Sequence, residues 1–194
     1  MNHDKMVAIA EARRIVSNLD RYVILDTETT GLYDCEIVQI AIIDLAGNTL
    51  LDTLVKPTCA ISEGATAIHN ITAADVANAP TFAPVRDLIE LMTHKKTVII
   101  YNDTFDNEVL YYCCKVNNLN YLEYESLCAM ELYSNFKGEI HPHFNNYRWQ
   151  KLPGGDHTAL GDCKATLSVI ESMAATLLEM GQLELSEASA DIPY

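Results

Sequence analysis

The run Tyr22-Val23-Ile24-Leu25-Asp26-Thr27-Glu28-Thr29-Thr30-Gly31-Leu32 constrains this chain more than any other stretch. Its β-branched and aromatic opening has the composition of a strand. Val23, Ile24 and Leu25 put apolar groups on both faces, so the strand belongs inside a sheet that is covered on two sides. Two acids then leave it. Side chains alternate along a strand, so Asp26 and Glu28 project to one face, roughly 7 Å apart along the backbone. Carboxylates so placed are costly unless something cationic neutralises them. Gly31 ends the strand, at a turn that few other residues would permit. A lone Asp-x-Glu reads as a strand running out into a polar loop. Matching acids elsewhere overturn that reading.

The match comes twice. Residues 97–101 form a short apolar strand that runs into Asn102-Asp103-Thr104-Phe105-Asp106 and a helix over 104–117. Asp103 reads as the N-cap of that helix. Asp106, in the first turn, suits the helix dipole, but it also stands where α/β folds place their sites. The third acid lies in Asp156-His157-Thr158-Ala159-Leu160-Gly161-Asp162-Cys163, which heads a helix of about twenty residues reaching Gly181. Thr158 or Asp156 caps it. Asp162 falls one turn in, toward the core, an odd place for surface decoration. His157 is on the entering loop and reaches the same space.

The remaining elements frame these motifs. Residues 4–18 fit a short amphipathic helix, with Arg13 and Arg14 on its solvated face. Residues 37–44 and 50–55 read as two strands joined at Gly47-Asn48. Short helical turns fit 61–80, with Thr72 as a cap, and 82–93 has helical spacing. Three meandering strands followed by helix–strand–helix units give a mixed α/β sheet with helices packed over it.

Composition limits the function. The 194 residues are 49% hydrophobic, enough for one domain with a full core. No run approaches the roughly 18 apolar residues of a membrane span, and the first residues lack a signal-peptide pattern. Six cysteines without Cys-x-x-Cys spacing read as free thiols in a reducing cytoplasm. A net charge of −14 argues against holding nucleic acid by bulk electrostatics, so any phosphate chemistry must bring its own cations.

Together, Asp26, Glu28, Asp106, Asp162 and His157 give the chain a family resemblance. Asp26-Thr27-Glu28-Thr29-Thr30-Gly31-Leu32 resembles the first motif of the DEDDh (DnaQ-like) 3′–5′ exonucleases, Asn102-x-x-Phe105-Asp106 the second and His157-x4-Asp162 the third. The family includes the polymerase proofreading subunit, RNase T and small stand-alone bacterial exonucleases. Tyr101 and Asp103 depart from the usual second motif. The resemblance implies an RNase H-like mixed five-stranded sheet flanked by helices. It runs from about 21 to 178 and sets an exonuclease domain of 21–180, leaving 1–20 as a helical extension and 181–194 as an acidic flexible tail.

It also implies a chemistry. Hydrolysing a phosphodiester needs a hydroxide nucleophile, neutralised phosphoryl oxygens and a stabilised leaving alkoxide, and two divalent ions about 4 Å apart supply all three. Four carboxylates balance two Mg²⁺ or Mn²⁺, hard ions that prefer oxygen ligands. By resemblance Asp26 bridges both ions, Glu28 and Asp162 hold one and Asp106 the other, and His157 is the general base. Thr27, Thr29, Gly31, Leu32, His69, Asn102 and Phe105 then surround the terminal nucleotide. His69, taken alone, reads as a structural histidine.

Residues 136–151 mix Phe136, Phe144, Tyr147 and Trp149 with Lys137, Arg148 and Lys151, a composition that suits single-strand stacking. Trp149 is the candidate contact, against a place in the core. His141-Pro142-His143 reads as a solvent loop. The expected substrate is a nucleic acid 3′ end, single-stranded DNA before RNA. A non-catalytic module serving a polymerase or nuclease partner is the rival.

Overall fold

A computed structural model describes residues 3–177. Helix α1 (His3–Val16) and a single 3₁₀ turn (Leu19–Arg21) lead into β1 (Tyr22–Thr29), β2 (Ile37–Asp44) and β3 (Thr49–Leu54). Two short helices, α2 (Glu63–His69) and α3 (Ala73–Val76), precede α4 (Phe82–Thr93), β4 (Thr97–Ile100) and α5 (Asp103–Val116). The described chain closes with β5 (Glu125–Cys128), α6 (Ala129–Lys137) and α7 (Ala159–Ala174).

The sheet order is β3-β2-β1-β4-β5, with β1 in the middle as its composition requires. β1 pairs antiparallel with β2 from Val23 to Thr29, but parallel with β4 only through Tyr22, Val23 and Ile24. This is the RNase H-like mixed five-stranded sheet that the resemblance implied. Alternation splits the core in two. Tyr22 and Ile24 pack with Ile15, Cys163 and Ile170, under α1, α6 and α7. Val23 and Leu25 pack with Val85, Ile89, Val109 and Leu110, under α4 and α5. Truncating a side chain as enclosed as Ile24 costs about 2–5 kcal/mol.

Several expectations shift by a residue or more. The fifth strand has no apolar run to announce it, since Glu125 and Ser126 are exposed on a four-residue edge strand. α7 stops at Ala174 instead of continuing toward Gly181, which lies outside the described residues with the rest of the tail. Arg13 does not face solvent. Its Nε donates to the Ala174 carbonyl at 3.1 Å and its Nη2 to that of Thr176 at 2.8 Å, closing the C-terminal end of α7. Arg14 pairs with Glu11 on the surface. Gly31 is outside the left-handed region, and an added Cβ would meet only Ser62 Oγ at 3.8 Å. The turn after β1 therefore does not demand glycine. All six cysteines are free. Among the described residues, no helix is long and apolar enough to cross a membrane.

Candidate active site

Since β4 accompanies β1 only as far as Ile24, Asp26 and Glu28 emerge where the sheet has lost a neighbour on one side. Both continue the Tyr22–Ile24 row, so they face α7. Asp106 approaches from the other face of the sheet. It lies in the first turn of α5, is only 4% exposed, and accepts a hydrogen bond from Thr27 Oγ1 at 2.6 Å. Asn102, not Asp103, is the N-cap of α5. The strand ends at Ile100, so Asp103 is already the first helical residue, and its Oδ2 accepts from Ser126 Oγ at 2.9 Å.

The third motif is a tight structure. Thr158 is the N-cap of α7, its Oγ1 accepting from Gly161 N–H at 3.0 Å. Asp156 Oδ1 in turn accepts from Thr158 N–H at 3.0 Å and from its hydroxyl at 2.8 Å. The Asp156 carboxylate lies so close to the Gly161 Cα that no Cβ would fit there. Asp162 Oδ1 accepts the backbone N–H of Asp156 at 2.8 Å and of His157 at 3.3 Å. His157 is held in the left-handed region, at φ 61°, a conformation rarely taken by a residue with a side chain. Ligand atoms of Glu28, His157 and Asp162 thereby lie within 4.8 Å of one another.

Electrostatically the acids oppose each other. Burial, then Asp106, Asp162 and Glu28, push the Asp26 carboxyl well above the ordinary range. Glu28 is raised to about 8 by burial and then by Asp162, Asp106 and Asp156. Asp106 is raised chiefly by burial. None of these shifts has a cationic side chain among its causes. The site carries clustered negative charge with hard oxygen donors and one imidazole, and the donor set fits a divalent cation.

The structure divides the other sequence-predicted residues into three groups. Leu32, 71% exposed, and Phe105 line one cavity of about 350 Å³ with Tyr33, Glu108 and Lys115. Asn102 and Trp149 line a second on the other side of the α5 N-terminus. Trp149 is 69% exposed, which removes it from the core. The rest support the framework. Thr27 holds Asp106, and Thr29 Oγ1 donates to the Gly31 carbonyl at 2.6 Å. His69 is buried behind the site. Its Nδ1 accepts from Ile71 N–H at 3.0 Å, leaving Nε2 to donate to the Thr29 carbonyl at 3.1 Å. With both ring nitrogens used, His69 fixes the end of β1 and has nothing left to offer a ligand.

Sequence reasoning missed two members of this support. Gln39 Oε1 accepts from Ala159 N–H at 3.2 Å, tying β2 to the start of α7. Buried Glu36 accepts from Thr58 N–H at 2.9 Å and from its hydroxyl at 2.6 Å, closing the loop after β1. A polar residue inside an apolar strand was the available signal for Gln39.

A family model described as an exonuclease, RNase T, matches residues 23–170. The chain belongs to this exonuclease family. The DEDDh likeness read from three motifs therefore stands, and α1, although it lies before the matched stretch, packs against β1 and α7 through Ala12 and Ile15. An uncharacterized exonuclease, CP81, of Escherichia phage 186 is 39% identical over 173 residues, covering 80% of this chain and 89% of that protein. Exodeoxyribonuclease 10 of Escherichia coli K12 is 32% identical over 157 residues, covering 76% and 66% respectively. The structure is also similar to that of exonuclease X in complex with 5′ overhanging duplex DNA. The TM-score is 0.54 at 30% identity, with 81% of this chain and 95% of that chain covered.

Proposed function

We propose that this exonuclease removes nucleoside monophosphates from the 3′ ends of DNA, single-stranded or overhanging, with the aid of two divalent metal ions. The observation that carries the reading is the convergence of Glu28, His157 and Asp162 within 4.8 Å, next to Asp26 and Asp106, whose carboxyls are also pushed upward. Asp26, Glu28, Asp106 and Asp162 would hold Mg²⁺ or Mn²⁺, which when bound supplies an activated water and neutralises phosphoryl charge. A ring nitrogen of exposed His157 takes the proton from the attacking water, and its backbone N–H, bonded to Asp162, restrains the main chain from which the ring projects. The terminal nucleotide lies against Leu32 and Phe105, which share one cavity and of which Phe105 precedes Asp106 in the chain. Thr27 contributes through its backbone, since its hydroxyl is engaged by Asp106.

DNA is favoured over RNA by the company the chain keeps, an exodeoxyribonuclease and an exonuclease solved with DNA. The test is incubation with 5′-labelled single-stranded DNA and RNA, with Mg²⁺ and with EDTA. A ladder shortening from the 3′ end of DNA, abolished by EDTA, is the expected result. Full activity in EDTA, or RNA cut as fast as DNA, overturns the corresponding part.

A further inference from the structure

The second cavity, of about 380 Å³, is used by nothing in the reaction above. It lies between Asn102 at the start of α5, Ser134 and Asn135 of α6, and Asn146 and Trp149 of the strip that follows. That strip is a small hairpin. Ile140 and Tyr147 form an antiparallel bridge, His141 N–H donates to the Asn146 carbonyl at 2.9 Å, and Arg148 N–H to that of Glu139 at 2.7 Å. It is pinned at both sides, by Tyr101 Oη donating to the Gln150 carbonyl at 2.9 Å and Tyr147 Oη donating to Asp4 Oδ2 at 2.6 Å.

Three observations point to a ligand. Ser134 is 2% exposed, and its hydroxyl has no hydrogen-bond partner among the described residues, a group that is costly to leave unmade. Trp149 meanwhile keeps 69% of its surface exposed on the cavity wall. The lining is rich in side-chain amides, which offer both donors and acceptors, and it holds Asp103 and Glu131 but no lysine or arginine. Such a lining repels phosphate and suits a flat, uncharged ring with a hydrogen-bonding edge. Cationic charge sits outside, on Arg148, which lines the adjoining cavity with His141, Phe144 and the other side of Trp149.

We propose that this cavity is a nucleobase subsite for a nucleotide upstream of the scissile bond. Trp149 supplies the stacking face, and Asn135, Asn146 and Ser134 meet the base edge. The proposal rests on the exonuclease reading for its ligand. Asn102 and Asp103 lie within a turn of Asp106, so a strand leaving the acids along the start of α5 reaches this cavity next.

Trp149 is the chain's single tryptophan, so its fluorescence reports on the subsite directly. Oligothymidylates of increasing length are titrated into the full-length protein with Ca²⁺ in place of Mg²⁺. The expected result is quenching by oligonucleotides and none by thymidine monophosphate. An abasic position upstream of the 3′ end should remove the quenching. In Mg²⁺, KM falls with substrate length in the wild type. Trp149→Ala abolishes that fall, raising KM for longer substrates roughly tenfold at nearly constant kcat, the order for one base lost from an aromatic face. Oligonucleotides that quench Trp149 yet are not cut support the subsite and overturn the exonuclease reading. Oligonucleotides that are cut with a KM independent of length, and with fluorescence unchanged, overturn the subsite.

Discussion

Gly161 is a residue whose identity the site depends on, although it bonds nothing through a side chain. It leaves room for the Asp156 carboxylate, which braces Thr158 and with it the loop that holds His157 at positive φ. Gly161→Ala must displace Asp156, and losing its two hydrogen bonds to Thr158 costs about 1 kcal/mol, or roughly 2–4 °C in a chain of this size. Activity should fall much further than that, because a displacement of His157 by about 1 Å can cost a hundredfold. Adding Asp156→Ala to Gly161→Ala should restore part of the melting temperature, since the clash is gone. A double mutant no better than the single would place the effect elsewhere. His157→Ala itself should slow turnover by about 10²–10⁴ in a protein that melts as the wild type does. Asp26→Ala should slow it by at least about a thousandfold. Single-turnover rates beside melting curves decide both. The acids were legible in sequence because each follows an apolar run or a cap. The bond between Thr27 and Asp106 was not, as nothing local relates residues so far apart in the chain.

At the scale of elements, the site stands on three ends: the free end of β1, the start of α5 and the start of α7. The first and second were readable from hydrophobic runs that stop abruptly, and the third from Thr158 ahead of a helical pattern. β5 and α6 were not, because a short edge strand buries too little to impose alternation. The role of α1 was hidden too. Its Ile9 and Ile15 are fully buried, and Arg13 completes the far end of α7, the helix that carries Asp162. Arg13→Ala should therefore destabilise by about 1–2 kcal/mol, through the loss of two charged hydrogen bonds to backbone carbonyls at a helix end. Arg14→Ala, breaking a surface pair with Glu11, should cost under about 1 kcal/mol. Denaturant titration of the two variants makes the comparison. Equal losses would mean that Arg13 is no cap.

For the molecule as a whole, the governing fact is a charge of −14 on a protein that acts on a polyanion. On the proposed reading, cations at the site and local stacking carry recognition in place of long-range attraction, and affinity for DNA should be only modestly salt-dependent. The same charge sets how stability responds to pH. Asp26, Glu28 and Asp106 all have carboxyls raised first by burial, and Asp26 and Glu28 also by neighbouring acids, Glu28 from 4.5 to about 8. A carboxyl raised in the folded state binds more protons there than in the unfolded chain. Its contribution is fully present below the unfolded value near 4.5 and is lost as pH rises through about 8. Asp44, Asp75 and Asp156 are lowered by their hydrogen bonds, and their contribution disappears only below the ordinary carboxylate range, outside that window. In EDTA the melting temperature should therefore drop between pH 5 and pH 8. Mg²⁺ should reverse the trend, since it binds the ionised acids, and the gap between melting temperatures with Mg²⁺ and with EDTA should widen across the same interval. Asp26→Asn removes one of the opposing charges, so in EDTA at pH 8 it should melt higher than the wild type while gaining less from Mg²⁺. A gap that stays constant from pH 5 to pH 8 would mean that these carboxylates are not where the metal binds.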